Sequence, residues 1–202
     1  MQMRTPKIIS FEGCIGAGKT TLANYFSKYF KAGKLLEAYG KNPFLKEFYK
    51  GADVKFETEL GFLLIHYQQL KDVLKKCKKD LIFADFSIEK DIVFAKLNLN
   101  KEEYKLFERV YKYITKNIGI PIKTIYLDLS FGVLKRRIFQ RGRKYELNMD
   151  MKYFEKYNKK IKRYFRNISD SEIRFFDVDD LNLRAKDRKF EQIKKVILNS
   201  KI

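Results

Sequence analysis

No run of about 18 apolar residues occurs anywhere in this 202-residue chain, so no segment is expected to cross a membrane as a helix. The opening residues, Met1 to Lys7, are polar and lead straight into a strand, without the apolar core of a signal peptide. Cysteine is scarce: Cys14 and Cys77 have no metal-binding spacing and make no disulfide framework, which fits a reduced, cytoplasmic setting. There are only three prolines (Pro6, Pro43 and Pro121) and no linker, repeat or low-complexity tract, so residues 1–202 are expected to form one domain. Acidic residues are outnumbered, 25 Asp+Glu against 44 Lys+Arg, for a net charge of +19. Such an excess suits nucleic-acid binding, or a solvated surface around a site for polyanions. The lysines are spread along the whole chain, which favours the second reading, with no specific nucleic acid and no membrane as partner.

What is present is a core: 45% of the residues are hydrophobic. Strand patterns at 7–12, 33–37, 80–85, 122–128 and 173–178 alternate with helical patterns at 19–31, 42–50, 54–77, 88–117, 130–141, 150–167 and 186–199. Strands alternating with helices predict βαβ units and a parallel sheet. In 54–77, Leu60, Leu63, Leu64, Tyr67, Leu70, Val73 and Leu74 have helical spacing and read as a core helix whose polar residues could face a cleft. Gly119-Ile120-Pro121 marks a break. The expected fold is α/β, a three-layer sandwich with a five-stranded parallel sheet, and G-x-x-x-x-G-K-T after its first strand makes it P-loop NTPase-type.

Between the first strand and helix lies Gly13-Cys14-Ile15-Gly16-Ala17-Gly18-Lys19-Thr20-Thr21, a G-x-x-x-x-G-K-T loop in the context that a P-loop requires. Its glycines free the backbone to turn N–H groups inward onto phosphate oxygens, and the following helix presents its positive end to the same anion. Residues 13–21 therefore read as the ATP-binding loop, with Lys19 on the β/γ-phosphates and the Thr20 hydroxyl as a Mg²⁺ ligand.

Phosphoryl transfer needs further groups, and candidates exist. Asp85 closes the apolar run 80–85, at the carboxyl edge of a buried strand, where it can support Mg²⁺ or cap the next helix. Glu37 ends the run Lys34-Leu35-Leu36-Glu37 at the same edge and could take a proton from an acceptor hydroxyl. Arg137 and Arg141 share a helix face, Gly142 breaks the helix and Arg143 follows. Three guanidiniums converging on one point suit a migrating phosphoryl group, and a lid over about 141–149 is expected.

Taken together, FEGCIGAGKTTL, LLEAYGKNPFLKEFY, FETELGFLLIHYQQ, ADFSIEKDIVFA and RIFQRGRKYE resemble, in order and spacing, the deoxynucleoside kinases of the deoxycytidine, deoxyguanosine and deoxyadenosine group, over roughly residues 7–150. The resemblance implies a homodimer that transfers the γ-phosphoryl of MgATP to a deoxynucleoside 5′-hydroxyl. It implies Glu37 as general base, Tyr49 and Glu146 on the sugar 3′-hydroxyl, Asp85 supporting Mg²⁺, and Arg137, Arg141 and Arg143 as lid arginines. Glu59, His66 and Asp91 fall at base-side positions. Phe86 stands where the family's acid-Arg-Ser motif has its arginine. An ionised Glu59 offers acceptors only, so bases with an exocyclic amine are expected ahead of thymine, guanine slightly first. The alternatives are a thymidylate-type nucleotide kinase, for which Lys41 is the available cation, and a nucleic-acid-binding P-loop ATPase.

Overall fold

A computed structural model describes residues 6–116, 118, 123–147, 150–168, 172–181 and 188–199. Five strands, β1 (Lys7–Gly13), β2 (Gly33–Leu35), β3 (Leu81–Ala84), β4 (Lys123–Asp128) and β5 (Glu172–Asp177), form one sheet in the order β2-β3-β1-β4-β5. Every neighbouring pair is parallel. The central strand is buried on both faces beyond its first residue, and Ser10 and Glu12 are enclosed there together with Ile8, Ile9 and Phe11.

Helices cover both faces. Between β1 and β2 runs α1 (Lys19–Tyr29), and α2 (Leu45–Tyr49) and α3 (Lys55–Lys76) precede β3. The β3–β4 connection carries α4 (Glu89–Asn98) and α5 (Lys101–Thr115). After β4 come α6 (Phe131–Arg141), the short α7 (Lys144–Leu147) and α8 (Met151–Asn167), and α9 (Arg188–Leu198) follows β5. On one face the rings of Phe11 and Phe83 meet Phe26 of α1, which in turn stacks on Phe190 of α9 at 5.3 Å. On the other face, Tyr126 of β4 packs against Phe165 of α8.

The expected parallel α/β sandwich is the observed one, with three differences of detail. The pattern over 88–117 splits into α4 and α5: Leu99 is extended, and Asn100 caps α5 in a capping box with Glu103. The stretch 42–50 yields only the short α2, and a 3-10 turn at Tyr39–Lys41 precedes it. In α3 the buried stripe is Thr58, Glu59, Leu63, His66 and Leu70, while Leu64, expected in the core, is 50% exposed. The Gly119-Ile120-Pro121 break, the lid residues 148–149 and residues 182–187 lie outside the described residues.

Phe26 is fully buried at the centre of the aromatic cluster, with rings of Phe11, Phe30, Phe83 and Phe190 around it. Phe26→Ala should cost about 3–5 kcal/mol, the usual effect of emptying an aromatic site. Urea unfolding measures it, and a loss under about 1 kcal/mol would mean that α1 is not packed on this core.

Candidate active site

All five strands end at one edge, and the loops there surround a cavity of about 640 Å³. Of the sequence-predicted site residues, Gly13 and Cys14 lie behind its wall, and all the others line it. The P-loop forms its floor. Gly13 has φ +137°, and a Cβ there would stand 2.4 Å from the Leu127 carbonyl oxygen, so the loop leaves the sheet through a gap only glycine fits. With no acidic residue in its first turn, α1 keeps its positive end toward the cavity. The Lys19 ammonium donates to the carbonyls of Gly13 and Cys14, both at 2.9 Å.

Asp85 ties three pieces together. Its backbone N–H donates to Leu35, its Oδ2 accepts from the Thr20 hydroxyl at 2.6 Å, and its Oδ1 accepts from the Glu37 N–H at 2.7 Å. It does not cap α4; it fixes the P-loop helix against the chain that carries Glu37. An oxygen pair of this kind, hydroxyl beside carboxylate, suits a hard cation such as Mg²⁺.

Glu37 lies two residues beyond β2. Its Oε1 accepts from the Lys90 ammonium at 2.6 Å and faces His66 Nε2 at 3.2 Å. The other ring nitrogen of His66 lies 2.8 Å from Asp91 Oδ2. A ring held between two carboxylates bonds both only when both nitrogens carry protons. Burial pulls the His66 pKa down, but Asp91 and the two hydrogen bonds outweigh it and push it up to about 9. Burial likewise works to raise the Glu37 pKa; Lys90 and His66 overcome it and hold the carboxyl well below the usual range. Beneath them, the buried Glu12 accepts from the Ser87 N–H at 2.5 Å, and burial raises its pKa.

At the far end, Glu59 is 3% exposed and accepts from Asn98 Nδ2 at 2.6 Å. Burial outweighs that bond and raises its pKa to about 8, so it is neutral at pH 7 and not the ionised carboxylate the sequence suggested. Phe48, Phe62, Phe94, Tyr153 and Tyr157 supply flat apolar walls, and Tyr49 lines the same cavity.

The arginines do not converge on one point. Arg137 donates to the carbonyls of Gly16 and Val178, at 3.2 and 2.8 Å, and is anchored to the P-loop. Arg141 and Arg143 both pair with the buried Glu146, and Arg143 also lies over the Tyr39 ring. Gly142, at φ +66°, ends α6 and turns the chain so that both guanidiniums can reach that one carboxylate.

Lys90, Glu12 and Asn98 were not singled out from the sequence. The available signal was Glu89-Lys90-Asp91 between Ile88 and the apolar run 92–95, three consecutive charges that are all buried in the fold.

Comparison with known proteins points to one family. The chain is 35% identical to the deoxyguanosine kinase of Bacillus subtilis over 158 residues, covering 76% of this chain and 75% of that one. It is 25% identical to the deoxyadenosine/deoxycytidine kinase of the same organism over 195 residues, covering 92% and 89%. The structure of M. mycoides deoxyadenosine kinase with bound dATP superposes with a TM-score of 0.80 at 25% identity, covering 95% of this chain and 99% of that one. A sequence model of the deoxynucleoside kinases matches residues 9–202, and the chain belongs to that family.

Proposed function

We propose that the whole chain works as one domain that transfers the γ-phosphoryl of ATP to the 5′-hydroxyl of a deoxynucleoside bearing an exocyclic amine, with guanine favoured. The observation that carries this reading is Glu37, an ionised carboxylate held at the sheet edge, where Asp85 ties its backbone to the P-loop helix. Its free oxygen is the acceptor for the hydroxyl proton as the sugar oxygen bonds to the γ-phosphorus. The bond from that phosphorus to the bridging oxygen breaks, and ADP leaves.

Backbone N–H groups of residues 13–21 and the end of α1 hold the phosphates, and Lys19 swings from its carbonyl contacts onto the β/γ-phosphates. Thr20, with Asp85 behind it, would hold the Mg²⁺ that arrives with ATP and neutralises phosphate charge. Arg137, Arg141 and Arg143 stabilise the phosphoryl in flight, and Tyr49 and Glu146 bind the sugar 3′-hydroxyl. Leu64 and Leu106, exposed apolar residues on α3 and α5, support a homodimer in which a second copy covers them. Lys41 is exposed and does not line the cavity, which speaks against an acceptor that already carries a phosphate.

Glu37→Gln should lower kcat by about 10²–10⁴-fold, since the amide keeps the shape but cannot take the proton. Steady-state kinetics that showed a change confined to KM would make Glu37 a binding residue.

Base choice follows from the far end. Asp91, beside Glu59, offers the base acceptors only, while neutral Glu59 offers a donor as well as an acceptor, so Asp91 takes the exocyclic amine and Glu59 the ring nitrogen next to it. Thymine would turn a carbonyl oxygen toward Asp91, at a cost of about 1–3 kcal/mol. Among the four deoxynucleosides with MgATP, thymidine should therefore be the poorest by roughly tenfold or more, a ratio that corresponds to that cost. If thymidine were the best substrate, the assignment would fail.

Raising the pH through about 8 ionises Glu59 and leaves acceptors only. The kcat/KM ratio of deoxyguanosine to deoxyadenosine should rise over that interval and become flat in Glu59→Gln. A ratio that is flat in the unsubstituted enzyme would mean that Glu59 does not read the base.

A further inference from the structure

The residue after Asp85 is Phe86, so that position brings no cation to the centre. It is 1% exposed and stacks on the His66 ring at 4.5 Å. A cation is nevertheless there, delivered from one turn further along. The Lys90 side chain leaves α4, passes beside Phe86 with its ammonium 5.6 Å from the ring centroid, and ends 2.6 Å from Glu37 Oε1.

We propose that Lys90 is a positioning residue for phosphoryl transfer, which clamps Glu37 Oε1 so that the other carboxylate oxygen is presented to the acceptor hydroxyl. This rests on the reading of Glu37 as the base.

The geometry supports it in three ways. Lys90 is only 5% exposed and lines the cavity, so its ammonium is not a surface charge resting on a nearby acid. A buried lysine is costly unless paired, and here the pairing is with the proposed base itself. The same Oε1 faces His66 Nε2, which is tied through Nδ1 to Asp91, so two cationic donors from α4 and α3 fix a single oxygen. Glu12, Lys19 and Glu59 are the further titratable groups that interact with Lys90. Without the ammonium, Glu37 keeps one side-chain donor, His66, and can rotate about its own axis. A misplaced reacting group costs on the order of 10²-fold in rate.

The test is a kinetic cycle on the full-length protein with MgATP and deoxyguanosine, with thermal melts to check folding. Lys90→Met should lower kcat about 10²-fold with little change in the nucleoside KM, and Lys90→Arg should recover much of that loss because it keeps a cationic donor. In a Glu37→Gln background, adding Lys90→Met should cost almost nothing more, because the residue acts through Glu37. Where Lys90→Met does not melt cooperatively, Lys90→Gln replaces it in the same cycle. Losses that add fully in the double variant, or a change carried by KM alone, would overturn the inference while leaving Glu37 as the base. A Glu37→Gln enzyme with full kcat would instead overturn the reading on which the inference rests.

Discussion

A buried imidazole between two carboxylates must carry both protons, and that constraint organises the centre of this molecule. Asp91, His66, Glu37 and Lys90 form a chain of alternating charge, with contacts of 2.8, 3.2 and 2.6 Å. Each member makes its neighbours tolerable in a desolvated place. The outcome is a carboxylate, Glu37, that stays ionised although it stands in a cavity wall, and that has one oxygen engaged and the other available.

The fold places this chain by simple means. A parallel sheet brings all its strand ends to one edge, so β1 delivers the P-loop, β2 delivers Glu37 and β3 delivers Asp85, whose carboxylate ties the first two together. The long helix α3 contributes through its buried stripe: Glu59 and His66 lie one turn to either side of Leu63, so the face that packs the core also furnishes the cavity. α4 is enclosed on nearly all sides, which is why Glu89, Lys90 and Asp91 are buried in succession. Packing and site geometry are therefore the same contacts.

Much of this was legible in the residues. Glycines at 13, 16 and 18 before Lys19-Thr20, and apolar runs that stop at acids, place the P-loop, Asp85 and Glu37 at one edge before any coordinates are known. The split between α4 and α5 was written in Asn100-x-x-Glu103, a capping signal overridden by the apolar spacing that continues on both sides. Other features depend on three-dimensional proximity. Arg137, Arg141 and Arg143 share a basic stretch, yet Glu146 captures two of them and the P-loop backbone the third. Glu59 looks like an ionised residue in one dimension and becomes a neutral acid only through its burial beside Asn98. Lys90 sits among ordinary-looking charges, and its meaning appears only when Glu37, 53 residues away in sequence, arrives beside it.

The central claim is that the buried cations keep Glu37 ionised and ready to accept a proton. Carboxyl ¹³C NMR of glutamate-labelled protein, with the Glu37 signal assigned by its loss in Glu37→Gln, reads that state directly. The shift should stay at the carboxylate value throughout acidification of the folded protein, since Lys90 and His66 hold the group well below its ordinary pKa. A Glu37 that titrates near the ordinary glutamate value of about 4.3 would contradict the account.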